Sequence, residues 1–453
     1  MKIYFIAALG ISQHGLIKLC LENKKELFSY FKFTGDSLQI SGSDISESRE
    51  ERRELKKTNI IIHTGHYVKN IKNFNPDIIV INSAINNENP ELIWARQNNK
   101  IILERAELLG LISSFYNKVI AVSGTHGKTT TTSILNSVFK TIEPTIHCGG
   151  HIVLRAPKAT IIGRRNLFIT EACEYRENFL NIKPDICVVL NISKDHLDYY
   201  KNTKHIQNAF FKFANNTKPG GILLYNKDDV LSKVFNNHQK PKFSFGTNKK
   251  KNPDFLISNI KKQRFILNFK NIFIGKFKTK TIGRHNIINS AVAVVCAFLY
   301  SHPLLHIDNI NNNLLEYKGV KRRCEVKGNI IHDYAHHPKE ILTIIKTIKQ
   351  FYKKPILVIF EPHTYTRTKK LWNKFLTCFN LADTIIFLPI YAARETPLLN
   401  ITSKELSKQI PHSIYIKTYL EAQHKILSYI NKNDCVVLIL GAGDIVKLFD
   451  MFS

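Results

Sequence analysis

The chain has 453 residues, enough for roughly three domains of about 150 residues each. With 44% hydrophobic, 10% aromatic and 22% charged residues it has an ordinary globular composition, which excludes collagenous, coiled-coil, disordered and disulfide-scaffold architectures. Lys and Arg number 65 against 36 Asp and Glu, a net charge of +29 that favours a polyanionic partner, although the lysines are dispersed along a chain rich in Lys, Asn and Ile throughout.

The first predicted element is a strand at 2–8. Met1-Lys2 followed by apolar residues superficially imitates a signal peptide, but no small-residue cleavage site follows and the segment runs on through Gln13-His14-Gly15 into a helical pattern. Further strands are predicted at 38–41, 59–63 and 77–82, alternating with helical or turn segments, a rhythm that implies a small parallel sheet. A second block opens with a strand at 118–123 and a helix through 140, and continues with strands at 167–171, 186–192 and 221–225. It carries a Lys-rich region at 236–280 that alternates like antiparallel strands, and closes with a helix at 286–300. The third block repeats the strand–helix rhythm. Strands are expected at 355–360, 384–388, 413–416 and 436–440, with helices at 369–379 and 420–429 and one that Thr402 and Glu405 start as a capping box. The apolar runs at 290–300 and 435–441 are too short to span a bilayer.

Eight cysteines stand singly, with no C-x-x-C pair, which fits buried thiols in a reducing compartment. A cytoplasmic protein without membrane insertion is expected, and no nucleic-acid partner.

The most informative segment is Gly124-Thr125-His126-Gly127-Lys128-Thr129-Thr130, where a buried strand delivers a Gly-rich turn, a lysine and hydroxyls to a helix start. Free N–H groups and the helix dipole at such a turn attract phosphate. The glycines admit close approach of the backbone, Lys128 adds a point charge, and Thr129 or Thr130 can hold Mg²⁺. Val122 stands where the general P-loop pattern has its first glycine. Glu171 and His196 follow later strands, whose C-terminal ends face the same crevice in a parallel sheet. They make an oxygen and nitrogen set suited to Mg²⁺ or Mn²⁺.

Gly-Thr-His-Gly-Lys-Thr-Thr-Thr-Thr at 124–132, Glu-Ala-Cys-Glu-Tyr at 171–175, Asp-His-Leu-Asp at 195–198 and Gly-Arg-His-Asn-x-x-Asn at 283–289 resemble the central domain of the Mur ligases. Arg322-Arg323, Asp333-Tyr334-Ala335-His336-His337-Pro338, the run Glu361 to Thr368 and Ile390-Tyr391-Ala392-Ala393-Arg394-Glu395 extend the likeness over nearly the whole chain. The resemblance implies an α/β protein of three domains: a Rossmann-like UDP-sugar domain at 1–115, a P-loop ATPase-type domain at 116–320 and a Rossmann-like amino-acid domain at 321–453. It implies an ATP-dependent amide ligase, monomeric or weakly dimeric, acting on UDP-N-acetylmuramate and L-alanine through an acyl phosphate.

By the same resemblance Gly124, Thr125, Gly127 and Lys128 hold the phosphates. Thr129, Thr130 and Glu171 hold one Mg²⁺ and His196 a second. Asn286 and Asn289 face the adenine. Arg323 and Asp333 close over the nucleotide, with Arg323 meeting the charge of the moving phosphoryl group. His337, His363 and Arg367 bind the amino acid, and Gly10, Ser43 and Asp44 the uridine nucleotide. The family's glycine-rich UDP turn stands here as Ala7-Ala8-Leu9-Gly10-Ile11-Ser12, so close-approach positions carry side chains. A Cβ at a positive φ costs about 1 to 2 kcal/mol. Three other readings use the same residues: a ligase that recycles a tripeptide onto the nucleotide sugar, a family member that binds without turnover, and a basic P-loop ATPase acting on nucleic acid.

Overall fold

Runs of Val, Ile and Leu too apolar for a surface strand become parallel strands buried on both faces, and three sheets result. The computed structural model describes residues 1–45, 49–152, 158–196, 199–302, 304–393 and 395–452. Two compact units are distinguished, one of Met1–Lys280 with Ile288–Lys318 and one of Thr281–Ile287 with Gly319–Ser453.

The larger unit holds two sheets. The first comprises β1 (Lys2–Ile6), β2 (Gln39–Asp44), β3 (Ile61–Thr64), β4 (Ile78–Ile81) and β5 (Ile101–Glu104), all parallel in the order β3-β2-β1-β4-β5. That order reverses direction at β1, so the crevice at its C-terminal end is the ligand position of a doubly wound sheet. The turn after β1 lies there. Ala7 takes φ +62°, the left-handed region that disfavours a Cβ. The turn is pinned by Ala8 N donating to the Ser43 carbonyl at 3.1 Å and Leu9 N to Asp44 Oδ2 at 2.8 Å. Gly10, the surviving glycine, caps the helix Ile11–Glu22 at φ −60°, with no atom within 4 Å of where a Cβ would stand. Ala7 is therefore the strained position and Gly10 is not.

The second sheet runs through β6 (Lys118–Ser123), β7 (Pro144–Ile152), β8 (Lys158–Ile161), β9 (Arg164–Glu171), β10 (Ile186–Val189), β11 (Ile222–Asn226), β12 (Lys242–Gly246), β13 (Phe255–Lys261), β14 (Arg264–Phe269) and β15 (Ile272–Lys278). Its order is β15-β14-β13-β12-β11-β10-β6-β9-β7-β8. Of the Lys-rich region, β13, β14 and β15 are antiparallel as expected, whereas β12 pairs parallel with β11 and β13. The helix predicted after β6 spans Lys128–Val138 and the closing helix Arg284–Tyr300.

The smaller unit is built on β16 (Glu325–Lys327), β17 (Ile330–Asp333), β18 (Ile356–Phe360), β19 (Thr384–Phe387), β20 (Ser413–Tyr415) and β21 (Val436–Leu440), ordered β16-β17-β21-β18-β19-β20. Every residue of β18 and β21 is buried, and apolar clusters cover both faces of the sheet. The predicted helix at 369–379 is divided into Tyr365–Lys370 and Trp372–Cys378. Thr402 Oγ1 accepts from Glu405 N at 3.1 Å and so caps Ser403–Lys408, whereas the Glu405 carboxylate accepts from Lys408 Nζ at 2.7 Å, so half of the expected capping box forms. Among the described residues no helix is long and apolar enough to cross a membrane.

Ala7→Gly relieves the positive-φ strain and loses some unfolded-state restriction, for a net gain of about 1 kcal/mol. Thermal unfolding should show a Tm higher by about 2 to 4 °C; an unchanged or lower Tm would remove the strain assignment.

Candidate active site

In the larger unit β6 lies between β9 and β10, with Val122 opposite Glu171 and Ser123 opposite Val189. Three strand ends therefore meet at the turn 124–127. Gly124 has φ +139° and Gly127 φ +89°, conformations that L side chains rarely adopt. A Cβ at Gly124 would stand 3.0 Å from Leu190 Cβ, and one at Gly127 would stand 3.2 Å from both amide atoms of Asn289. These two glycines keep open a concave backbone that side chains would fill.

Asn191, at the end of the neighbouring strand, clamps that turn. Its carbonyl accepts from Thr125 N at 3.1 Å, its Oδ1 from His126 N at 2.9 Å, and its Nδ2 donates to the His126 carbonyl at 2.9 Å. Thr125 Oγ1 accepts from Ser193 N at 2.9 Å. Gly127 then caps the helix Lys128–Val138, whose first-turn N–H groups have no acceptor within the helix. The preformed turn, the helix dipole and the half-buried Thr129 and Thr130 form a seat that fits phosphate.

Lys128 Nζ donates to the carbonyls of Gly124 at 2.5 Å and Thr125 at 3.4 Å and pairs with Glu174, 3.0 Å from Oε1 and 2.7 Å from Oε2. Burial opposes the ammonium charge. Glu174, with smaller contributions from Cys173 and Glu171, outweighs it and holds Lys128 above the ordinary lysine range. Glu174 is 0% exposed; its carbonyl accepts from the Tyr200 hydroxyl, and His196 Nε2 lies 3.7 Å from its Oε1. The His196 ring packs on Tyr175 with centroids 4.8 Å apart. Glu171 Oε1 accepts from Gly149 N at 2.8 Å. Glu171 adds its charge at Lys128, and Lys128 and His196 both approach Glu174, a member of the Glu-Ala-Cys-Glu-Tyr motif to which no role was assigned above. Its spacing three residues after Glu171 is the signal that could have marked it.

No group of three or more His, Cys, Asp or Glu among the described residues is arranged to hold a metal ion. Two hydroxyls, one carboxylate and one imidazole beside a phosphate seat nevertheless suit Mg²⁺, which keeps water and phosphate oxygens as most of its ligands. Asn289 lies against the turn, and Asn286 Nδ2 donates to the Ile282 carbonyl at 2.9 Å. Leu197, Asp198 and Arg394 lie outside the described residues.

In the first sheet, Ser43 is fully buried and donates to Glu91, with its Oγ 2.7 Å from His66 Nδ1. Glu91 also accepts from the Tyr4 hydroxyl at 2.8 Å. Asp44 braces the Ala7–Gly10 turn through Leu9 N, as described above.

The smaller unit carries its cluster at the C-terminal ends of β17, β18 and β21. Asp333 accepts from Cys324 N and Ala335 N, each at 2.9 Å, and so fixes the segments on either side of it. The guanidinium groups of Arg322 and Arg323 lie 4.9 and 5.1 Å from the centre of the Tyr334 ring. Arg322 is tied to the Gly443 carbonyl at 2.8 Å, whereas Arg323 is exposed. His337 Nδ1 accepts from Lys339 N at 3.4 Å and caps the helix Pro338–Tyr352, a structural role in addition to the predicted one. Arg367 Nη1 bonds His363 Nδ1 at 2.9 Å and the His363 carbonyl at 2.7 Å. The His363 ring stacks on Tyr391 at 5.4 Å. Burial, then the Arg367 charge and His336, push its pKa down to about 4. Glu361 is buried, accepting from the Tyr419 hydroxyl and from Ile445 N at 3.2 Å, and burial raises its pKa.

Three family models match the chain: "Mur ligase family, catalytic domain" at residues 35–117, "Mur ligase middle domain" at 122–297 and "Mur ligase, glutamate ligase domain" at 322–443. A UDP-N-acetylmuramate--L-alanine ligase of Clostridium acetobutylicum is 37% identical over 470 residues, covering 100% of this chain and 97% of that protein. One from Acetivibrio thermocellus is 36% identical, covering 99% and 95%. The crystal structure of a UDP-N-acetylmuramate-alanine ligase from Thermotoga maritima superposes with a TM-score of 0.79 at 23% identity, covering 100% and 98%. A murein peptide ligase from Psychrobacter arcticus gives 0.70 at 18% identity with the same coverage. These two structures support the α/β fold.

At pH 7 the His363 ring is neutral both folded and unfolded. Below about 6.5 the unfolded chain takes up a proton that the folded one refuses until about pH 4, so this residue removes stability as pH falls through that window. His363→Gln should narrow the shift in urea midpoint between pH 7 and pH 5. An equal shift in both proteins would rule His363 out as a source.

Proposed function

The chain belongs to the Mur ligase family, and from that premise we propose that it joins the carboxylate of UDP-N-acetylmuramate to the amino group of L-alanine with ATP, an amide ligation in peptidoglycan precursor synthesis. The observation that carries the reading is the phosphate seat at 124–128 with Lys128, Glu171 and His196 gathered beside it. The tripeptide-recycling reading and the nucleic-acid reading have less support: the relatives at 36 and 37% identity are matched over 95 and 97% of their length and carry the alanine-adding name, whereas the murein peptide ligase is similar in fold at 18% identity.

A carboxylate is a poor electrophile, so it is activated as an acyl phosphate that the neutral amine attacks with loss of phosphate. Bringing the two anions to about 4 Å costs roughly 1 to 4 kcal/mol at effective dielectrics from water to a protein surface. Fixed positive groups offset that repulsion. Lys128 and the N–H groups of Gly124 and Gly127 grip the β and γ phosphates, in a turn that Thr125 shapes through its bonds to Asn191 and Ser193. Thr129, Thr130 and Glu171 would hold one Mg²⁺ or Mn²⁺ and His196 a second, and the ion supplies neutralising charge where the phosphoryl group moves. Asn286 and Asn289 meet the adenine edge with their amides. Arg323 brings an exposed, ring-supported guanidinium to the nucleotide, and Asp333 shapes the segment that presents it.

His363 and Arg367 form the amino-acid site with His337. A histidine kept neutral beside an arginine leaves one net positive charge, matched to a single α-carboxylate that guanidinium can hold bidentately. Gly10, Ser43 and Asp44 frame the uridine nucleotide site, Asp44 by fixing the turn and Ser43 by holding Glu91. We place the domain limits at 1–115, 116–320 and 321–453, which accommodate β1–β5, β6–β15 and β16–β21 respectively. The protein works in the cytoplasm as a monomer or weak dimer.

Purified protein with ATP and Mg²⁺ should release phosphate only when UDP-N-acetylmuramate and L-alanine are both present. Release driven by DNA or RNA, or none with nucleotide bound, would reject the ligase. Arg367→Ala should raise KM for L-alanine about tenfold or more, from loss of charge-assisted hydrogen bonds worth about 1.5 to 3 kcal/mol, with little change in KM for ATP. Equal effects on both would contradict a carboxylate site there.

A further inference from the structure

A lysine ammonium has three N–H donors. In Lys128 all three have acceptors: the carbonyls of Gly124 and Thr125, both belonging to the phosphate turn, and the Glu174 carboxylate. Gripping a phosphate therefore requires Lys128 to release one of them. The carbonyl acceptors are neutral; Glu174 is a full charge, fully buried, and fixed from behind by the Tyr200 hydroxyl on its own carbonyl.

We propose that Glu174 is the resting partner of Lys128, a built-in anion that a bound phosphate must replace, so that the wild-type seat holds phosphate less tightly than its lysine and free N–H groups alone would. This inference rests on the ligase reading and makes Glu174 a positioning residue for that reaction. Three observations support exchange over a static brace. Both Glu174 oxygens are within 3.0 Å of Nζ, the position an incoming phosphate oxygen would take. His196 Nε2, 3.7 Å from Oε1, gives the vacated carboxylate a second neighbour. Glu171, the other carboxylate at the seat, is engaged with Gly149 N, so the close ion pair of Lys128 is with Glu174. The exchange also gives a reason for product release: the same carboxylate reclaims the lysine once the phosphate weakens its hold. No bond is made or broken in the exchange; one anion replaces another at a fixed cation.

The test measures pyrophosphate binding by titration calorimetry in EDTA, so that no divalent ion contributes. Glu174→Gln keeps the shape and removes the competing charge. It should bind pyrophosphate about tenfold or more tightly than wild type, and in turnover should lower KM for ATP and kcat together as release slows. Glu174→Asp, which keeps the charge but draws it back by one methylene, should give a smaller gain in the same direction. A merely structural carboxylate would give weaker binding in both variants, and weaker or unchanged binding in the folded variants overturns the proposal. If Glu174→Gln does not fold, the sign of the Glu174→Asp change decides alone. Wild-type protein that binds neither ADP nor pyrophosphate even with Mg²⁺ overturns the ligase reading itself. Wild-type turnover with no gain in the variants overturns only the exchange.

Discussion

An ammonium that lies among buried strand ends needs another charge to meet it, and around Lys128, at the start of the helix that follows the turn, that condition organises the larger unit's site. The strand that delivers the turn is buried from Val119 to Ser123 because it lies in the middle of a ten-stranded sheet. Burial strengthens every electrostatic contact at its end and equally raises the cost of leaving one unmade. Glu174 meets the ammonium, the Tyr200 hydroxyl fixes Glu174, and His196 approaches the same carboxylate from the next loop. The turn itself is held by Asn191, so position and charge are set by residues from three different strand ends. A phosphate arriving here meets a preformed turn and a lysine already paired, and it gains the ammonium by replacing Glu174.

The smaller unit solves a different problem with the same sheet geometry. Its parallel strands also end at one edge, but the groups there are an arginine and a histidine that share a hydrogen bond, over an aromatic ring. Burial and the guanidinium together keep His363 uncharged, so the pair carries one positive charge instead of two. Two cations would favour a dianionic phosphate; one suits the monoanionic end of an amino acid. Glu361, sealed under Tyr419 and Ile445 N, occupies the space beside Gly443, where a Cβ would come within 2.3 Å of its carboxylate. The absence of a side chain at Gly443 is thus a packing requirement of that edge.

Much of the fold is legible in the amino-acid order because parallel strands buried on both faces are continuous apolar runs. The strands at 118–123 and 436–440 have the limits that their apolar runs predict, and the helices after two of the turns are anchored by a glycine at Gly127 and by a capping threonine at Thr402. Elements escape for more than one reason. β7 runs through Thr145, His147, Gly149 and Gly150, and β16 has three residues with Val326 as its single apolar side chain, so neither presents an apolar period. β5 is four residues long and partly exposed throughout. The polar partners escape for another reason. Lys128 is legible from a Gly-rich turn at a helix start, and Glu171 and His196 from following strands that end beside that turn, whereas the roles of Glu174, Asn191 and Glu91 depend on burial and on neighbours remote in sequence. The burden on the first turn is legible as a departure from a glycine-rich pattern, but its location, at Ala7 instead of Gly10, needs the backbone angle.

The net charge of +29 points toward a polyanion, yet the lysines that produce it are dispersed and lie largely at the surface. At physiological salt each acts over about 8 Å, so they raise the general attraction for anions without selecting one. Lys128 contributes a single unit to that sum, and its ammonium is paired with a buried carboxylate. A site for a specific phosphate therefore follows from how one lysine is paired, and the dispersed basic residues would supply no such site in its absence. The same logic sets the order of dependence in the chain: sheet burial fixes the turn, the turn fixes the lysine, and the lysine's partner decides how strongly a phosphate can be held.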